Sequence, residues 1–267
     1  MAHSTTAASR LPLVIVSNGV LRVAGGASSV LVGVYVADLA SRGFTMGAGL
    51  VGTLAAMSFG AELIGAVPLG MLSDAVSART LMTGGAMLAA LATFLFGVTH
   101  NAGVFVMSRA LEGLAAAAGV PALLVHLTDA TAGDHALRAR AMSYFELSLL
   151  AGLALGGIVG AQLWSRLGTG AFTALALLYV VAALLLFMGS VASRRHRGAD
   201  VWQGLRRSLA TPALRRLAPV WLCMNAILGL WLGPMLYFLL TKRSDGSQSR
   251  TSTRISWATI LMDYVRV

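Results

Sequence analysis

Seven stretches of this chain, residues 13–37, 48–70, 80–99, 103–127, 141–165, 170–191 and 217–240, are apolar almost without interruption. As a helix rising about 1.5 Å per residue, each is long enough to cross a hydrocarbon core of roughly 30 Å. No strand-like alternation runs through them. In lipid every backbone N–H and C=O must find its partner within the chain, so closed helices are the default. Only 11% of the residues are charged and the mean hydropathy is +0.78, whereas a soluble domain carries about 25% charge. The chain therefore reads as an all-α integral membrane protein. Its first apolar run is too long for a signal-peptide core and is followed by no clean small-residue cleavage site, so it reads as a retained helix.

The net charge is +10, and nineteen of the twenty basic residues are Arg. Nucleic-acid binding would need those arginines on one face of a soluble domain. Here they cluster between apolar runs, as the positive-inside rule expects. With the N-terminus inside, the first six spans place eleven arginines (Arg10, Arg79, Arg138, Arg140, Arg194, Arg195, Arg197, Arg206, Arg207, Arg215 and Arg216) in the cytoplasm and two, Arg42 and Arg166, outside. The expected location is the cytoplasmic (inner) membrane with a cytoplasmic N-terminus. Within the loop 193–216, Trp202, Leu205 and Leu209 fall at helical spacing among the arginines. That pattern fits an interfacial amphipathic helix facing anionic lipid, and equally a solvated basic linker. The lone Cys223 excludes a disulfide framework, and no Cys/His zinc spacing is present. His126, Asp129 and His135 provide no third ligand at regular spacing. No metal, cofactor or enzymatic activity is expected.

A charge at the bilayer centre costs roughly 2.5–3.5 kcal/mol on insertion scales. Spans 3 and 6 carry none, whereas span 1 carries Arg22, span 2 Glu62, span 4 Arg109 and Glu112, and span 5 Glu146. Such residues belong on a bundle interior or a wet cavity. Spans 1, 2, 4 and 5 are therefore expected to line one, with spans 3 and 6 toward lipid. Each group of three then supplies two lining helices and one outer helix, the pattern of two inverted three-helix repeats. Arg22 and Glu62 lie at similar depth, which predicts an ion pair, with Glu146 as the competing partner. Arg109 and Glu112, at i and i+3, share a face and can neutralise each other. Helix locking alone is the competing role for all these charges. In span 5, Gly152, Gly156 and Gly160 form a stripe where another helix can approach backbone to backbone.

These residues resemble the major facilitator superfamily of secondary transporters. The loop "GMLSDAVSART" is similar to that family's Gly-x-Leu-Ala-Asp-(Arg)-x-Gly-(Arg)-(Arg/Lys) signature. Gly70, Leu72, Asp74 and Arg79 match, Ser73 replaces Ala, and Ala75, Ser77 and Ala78 depart from it. The resemblance implies a gating loop. Physically, Gly70 would permit close packing at a tight turn, and Asp74 would meet Arg79 or a helix N-terminus. "RALEGLAAA" resembles the family's span-4 signature Arg-x-x-Gln-Gly-x-Gly/Ala-Ala-Ala. Arg109, Gly113, Ala115, Ala116 and Ala117 match, and Glu112 stands where Gln is usual. The resemblance implies a proton-coupling role for Arg109. Span 5 is similar to the antiporter signature Gly-x-x-x-Gly-Pro-x-x-Gly, with Gly157 in place of Pro. That signature implies export.

The resulting expectation is a six-helix N-terminal bundle over 1–192, a basic linker over 193–216, a seventh helix over 217–240 and an atypical polar tail over 241–267. The tail, "KRSDGSQSRTSTRISWATILMDYVRV" after Thr241, holds no segment long enough to span. The sequence thus reads as a truncated N-terminal half of a proton-coupled exporter of a small molecule. Its expected partners are the bilayer, a lipophilic or cationic substrate, protons, and a missing C-terminal six-helix half or a second copy. The alternative is a non-transporting membrane fragment or partner subunit that must assemble with another half.

Overall fold

The computed structural model describes residues 2–190 apart from Thr45 and Gly47, together with Pro212, Pro219, Val220, Cys223 and Ile227. Among the described residues the continuous helices are six: α1 (Ala2–Ser41), α2 (Ala48–Ala75), α3 (Ala78–Gly97), α4 (Ala102–Ala130), α5 (His135–Leu167) and α6 (Gly170–Gly189). All six are long and apolar enough to cross a membrane, and the described residues contain no strand. The expected spans sit inside them within a few residues, and most helices run on by about a turn. Local chemistry accounts for the breaks. Ser77, Asn101 and Asp134 cap α3, α4 and α5 by accepting backbone N–H bonds from Thr80, from Gly103 and Val104, and from Leu137. Gly43 and Gly133 take φ of +89° and +85° in the turns that follow α1 and α4, where a side chain would be strained. The linker 193–216, most of the seventh span and the tail lie outside the described residues.

Packing follows the repeat expected from the charges. The principal pairs are α1 with α5 and α6, α4 with α2 and α3, and α3 with α6. Exchanging α1 with α4, α2 with α5 and α3 with α6 maps this set onto itself. Helix directions agree with it. Asn18 meets Ser148, Arg22 meets Gly152 and Gly26 meets Gly156, so α1 and α5 run parallel. Gly113 meets Ser58 and Gly65 meets Ala117, so α2 and α4 are parallel as well. Leu13 lies at Gly189 and Gly25 at Tyr179, so α1 and α6 are antiparallel.

Three apolar clusters fill the bundle. At one end Tyr35, Leu39, Val51, Leu54, Phe96, Phe105 and Phe172 pack together, and the Tyr35 hydroxyl donates to the Thr99 carbonyl at 3.0 Å. At the other end are Leu11, Val14, Leu81, Met82, Leu127, Phe145 and Leu186. A smaller group, Ala24, Ala89, Ala90, Ala115 and Tyr179, lies between them. Arg10, Arg79, Arg138 and Arg140 belong to the second end, and Arg42 and Arg166 to the first. The charge asymmetry is therefore a property of the fold. α3 and α6 expose Met87, Leu91, Phe94, Leu177, Val181 and Leu184, a surface suited to lipid tails. α2 and α5 are the least buried of the six.

Candidate functional site

The site begins in α4. Helical spacing puts Arg109 and Glu112 on one face one turn apart. The Arg109 guanidinium donates through Nη1 to Glu112 Oε2, and both side chains are largely buried. The other carboxylate oxygen, Oε1, accepts from the Tyr179 hydroxyl of α6 at 3.4 Å. The carboxylate is thus held from two helices. Pairing offsets the cost of burying the charges, whereas an unpaired partner would be strongly destabilising. Among the described residues Arg109 Nε has no hydrogen-bond partner.

The remaining charges do not pair in this way. Arg22 lies at the α1–α5 contact, within electrostatic reach of Glu62, Glu146 and Tyr179. The expected Arg22–Glu62 ion pair is not formed among the described residues. Arg22 leans on α5, its guanidinium carbon 5.5 Å from the centre of the Phe145 ring. Level depth brought the two residues near one another, but the side-chain direction is set by the α1–α5 contact, where the Arg22 stem lies against Gly152. Glu62 is half-buried and Glu146 exposed. Thus α1, α2 and α5 present one guanidinium and two carboxylates that form no hydrogen bond to one another among the described residues, whereas the ion pair of α4 is closed on itself.

The glycines explain how the helices come so close. A Cβ on Gly156 would lie 2.7 Å from Gly26 Cα, and one on Gly160 2.9 Å from the Ala27 carbonyl oxygen. One on Gly152 would strike the Arg22 Cβ. The stripe is therefore a helix–helix seam, with α1 as its partner. Gly113 does the same on α4, where a Cβ would strike the Ser58 carbonyl oxygen. Asn18 adds a polar clamp to the α1–α5 seam by donating to Ser148 Oγ at 2.5 Å.

The gating-loop residues are placed differently from expectation. Gly70 and Asp74 lie in the last turns of α2, which continues to Ala75, so Gly70 does not sit at a tight turn. The turn comes at Val76 and Ser77, where Ser77 can cap the next helix. The Asp74 side chain lies outside the described residues. Arg79, in the first turn of α3, places its guanidinium carbon 3.6 Å from the centre of the Phe187 ring of α6. His126 is buried in α4, and its Nε2 finds no hydrogen-bond partner among the described residues. Among the described residues no three His, Cys, Asp or Glu side chains gather as a metal site.

Two features escaped the reading of the sequence. One is Tyr179, the single tyrosine of an apolar span. The other is an Arg-x-x-x-Gly on each of α1 and α4, formed by Arg22 with Gly26 and by Arg109 with Gly113, two of the four such spacings in the chain. Gly26 abuts Gly152 and, one turn on, Gly156; Gly113 abuts Ser58 and, one turn on, Glu62. The two motifs occupy equivalent places in the two halves of the bundle, which a search of this sequence against itself could have raised.

A comparison with curated protein sequences gives no match. The family model described as Major Facilitator Superfamily matches residues 9–247, nearly the whole chain. With six membrane-spanning helices packed as two equivalent triplets, and with a charged site built between them, the chain belongs to the major facilitator superfamily of transporters.

Proposed function

We propose that the chain supplies one wall of a proton-coupled exporter of lipophilic or cationic small molecules. One observation carries this reading: the Arg109–Glu112 pair is closed, whereas Glu62 and Glu146, within electrostatic reach of Arg22, form no ion pair among the described residues. A carboxylate held on both oxygens is a poor proton carrier, so the exchanging proton is assigned to Glu62, the half-buried member. Glu146, on the exposed face of α5, attracts the cation. Arg22 keeps the two carboxylates from repelling each other. The α1–α5 glycine seam supports export through its likeness to the antiporter pattern, although Gly157 replaces the Pro. The N-terminus and the end of the bundle bearing Arg10, Arg79, Arg138 and Arg140 are assigned to the cytoplasm.

The test uses vesicles carrying the chain, an imposed pH gradient and the fluorescent cation ethidium. Gradient-driven ethidium movement that is lost in Glu62→Gln and retained in Ser143→Ala, an exposed α5 position, supports the reading. Movement insensitive to the gradient removes proton coupling. A second reading, a subunit that transports only after assembly with another half, is favoured by the open faces of α2 and α5. It predicts a chain inert alone and active once a second six-helix unit or second copy is joined to it.

A further inference from the structure

Tyr179 is only 4% exposed, yet it lies on a helix with no charged residue. A buried phenol needs a partner for its hydroxyl. The partner here is Glu112 Oε1, 67 positions away in sequence and on another helix. The Glu112 carboxylate is therefore fixed at Oε2 by Arg109 and at Oε1 by Tyr179. The same hydroxyl lies 3.6 Å from where a Cβ on Gly25 would be, so α1 closes over it, with Arg22 one turn away within electrostatic reach. Among the described residues Glu62 and Glu146 have no comparable clamp.

We infer that Tyr179 is a positioning residue whose hydroxyl holds Glu112 in the orientation that neutralises Arg109. On this view α6 is part of the coupling site as well as a lipid-facing wall. Partial rotation of a free carboxylate about its last torsion would turn both oxygens away from the line to Arg109. A second donor from α6 removes that freedom and ties the ion pair of α4 to a helix packed on both α1 and α3. The role in transport rests on the coupling reading proposed above, but the clamp itself does not.

The test is a thermal-unfolding cycle on the purified full chain in detergent. Tyr179→Phe is measured in the native background and in one carrying Arg109→Leu with Glu112→Leu, which removes the pair without leaving a lone charge. A hydrogen bond to a charged group predicts that Tyr179→Phe lowers the native midpoint by about 3–6 °C. In the apolar background the same change should be neutral or raise the midpoint, because the hydroxyl has lost its acceptor. Equal shifts in the two backgrounds, or no shift in the native one, overturn the inference. Should the apolar double variant not fold, a fluorotyrosine placed at 179 decides. Its ¹⁹F resonance moves on Glu112→Gln and stays on Glu62→Gln if the clamp exists; a resonance unmoved by Glu112→Gln overturns it. A chain that moves no substrate would remove the coupling reading and leave both of these measurements standing.

Discussion

Gly156 and Gly157 are neighbours on one helix, and the structure assigns them opposite responses to a single added methyl group. At Gly156 a Cβ would sit 2.7 Å from Gly26 Cα and 2.8 Å from Ala27 N and Gly26 C, all backbone atoms. Apolar contacts are most favourable near 3.5–4.0 Å, so α1 and α5 must part by roughly 0.8 Å or more. No side chain can rotate away to relieve this. At Gly157 the nearest atom is Val30 Cγ2 at 3.9 Å, an ordinary contact. Both changes to Ala carry the same gain in helix propensity, about 0.8–1.0 kcal/mol, so the gain cancels in the comparison. What remains is the overpacking at Gly156, about 1–3 kcal/mol. Lipid does not repay it, because helix association in a membrane depends on close van der Waals contact rather than on apolar burial. The assay is unfolding of the purified chain by increasing SDS in mixed micelles. Gly156→Ala should unfold at lower SDS than Gly157→Ala, with a folded-to-unfolded ratio about 5- to 150-fold smaller. Gly156→Leu should be worse still. Coincident unfolding curves for the two Ala variants would mean that α1 and α5 are not in backbone contact, and the seam would have to be abandoned.

Arg109→Ala leaves Glu112 buried without its cation, so a loss of about 3–5 kcal/mol in stability is expected, read as less folded protein after membrane extraction; normal yield together with undiminished transport would remove both the structural and the coupling role. Gly133→Ala forces a side chain into φ +85° and should cost about 1–2 kcal/mol, seen as a lower unfolding midpoint, whereas Gly119→Ala, with open space around it, should not lower it. Phe187→Ala removes the ring beneath Arg79 and should cost about 0.5–2 kcal/mol; an unchanged midpoint would show that the guanidinium gains nothing there. For orientation, a cysteine introduced at Ala132 in a Cys223→Ala background should react with an impermeant maleimide only after cells are opened, and one at Arg42 should react in intact cells. The reverse pattern would invert the topology.

The spans were legible because apolar length is a property of single segments and needs no knowledge of neighbours. The Arg109–Glu112 pair was legible for the same reason, since i, i+3 spacing on one helix decides it. The Arg22–Glu62 pair was misread because depth along two helices says nothing about their rotation; the close approach at Gly152 and Gly156 sets where Arg22 turns, and it turns toward Phe145. Gly70 was misread because a glycine near a loop signature was taken for the turn itself, while the capping hydroxyl of Ser77 marked the break more directly. Tyr179 could not be found from the sequence, since a lone tyrosine in an apolar run has the appearance of packing until the distant carboxylate is placed beside it.

The repeated Arg-x-x-x-Gly sharpens what the fold can ask of each charge. Arg22 and Arg109 stand 87 positions apart, as do Gly26 and Gly113, and each glycine seats its helix against a parallel partner in the same way. The two arginines therefore hold matching stations on α1 and α4. One residue separates their behaviour. Three positions after Arg109 comes Glu112, and three positions after Arg22 comes Gly25. The first arginine is answered on its own helix and its charge is used up inside the half. The second is answered by no residue of α1, and its field falls on Glu62 and Glu146 across the helices. Two nearly equivalent sites thus give one closed pair and one open arrangement of charge. In the proposed exporter, only the open one would change its partners when a proton or a cation arrives. A half-bundle that placed a carboxylate at position 25 as well would crowd the Tyr179 hydroxyl with a second acceptor and close both sites at once. The glycine at 25 is what leaves Arg22 available, and in the proposed exporter that availability is the feature on which exchange between proton and substrate depends.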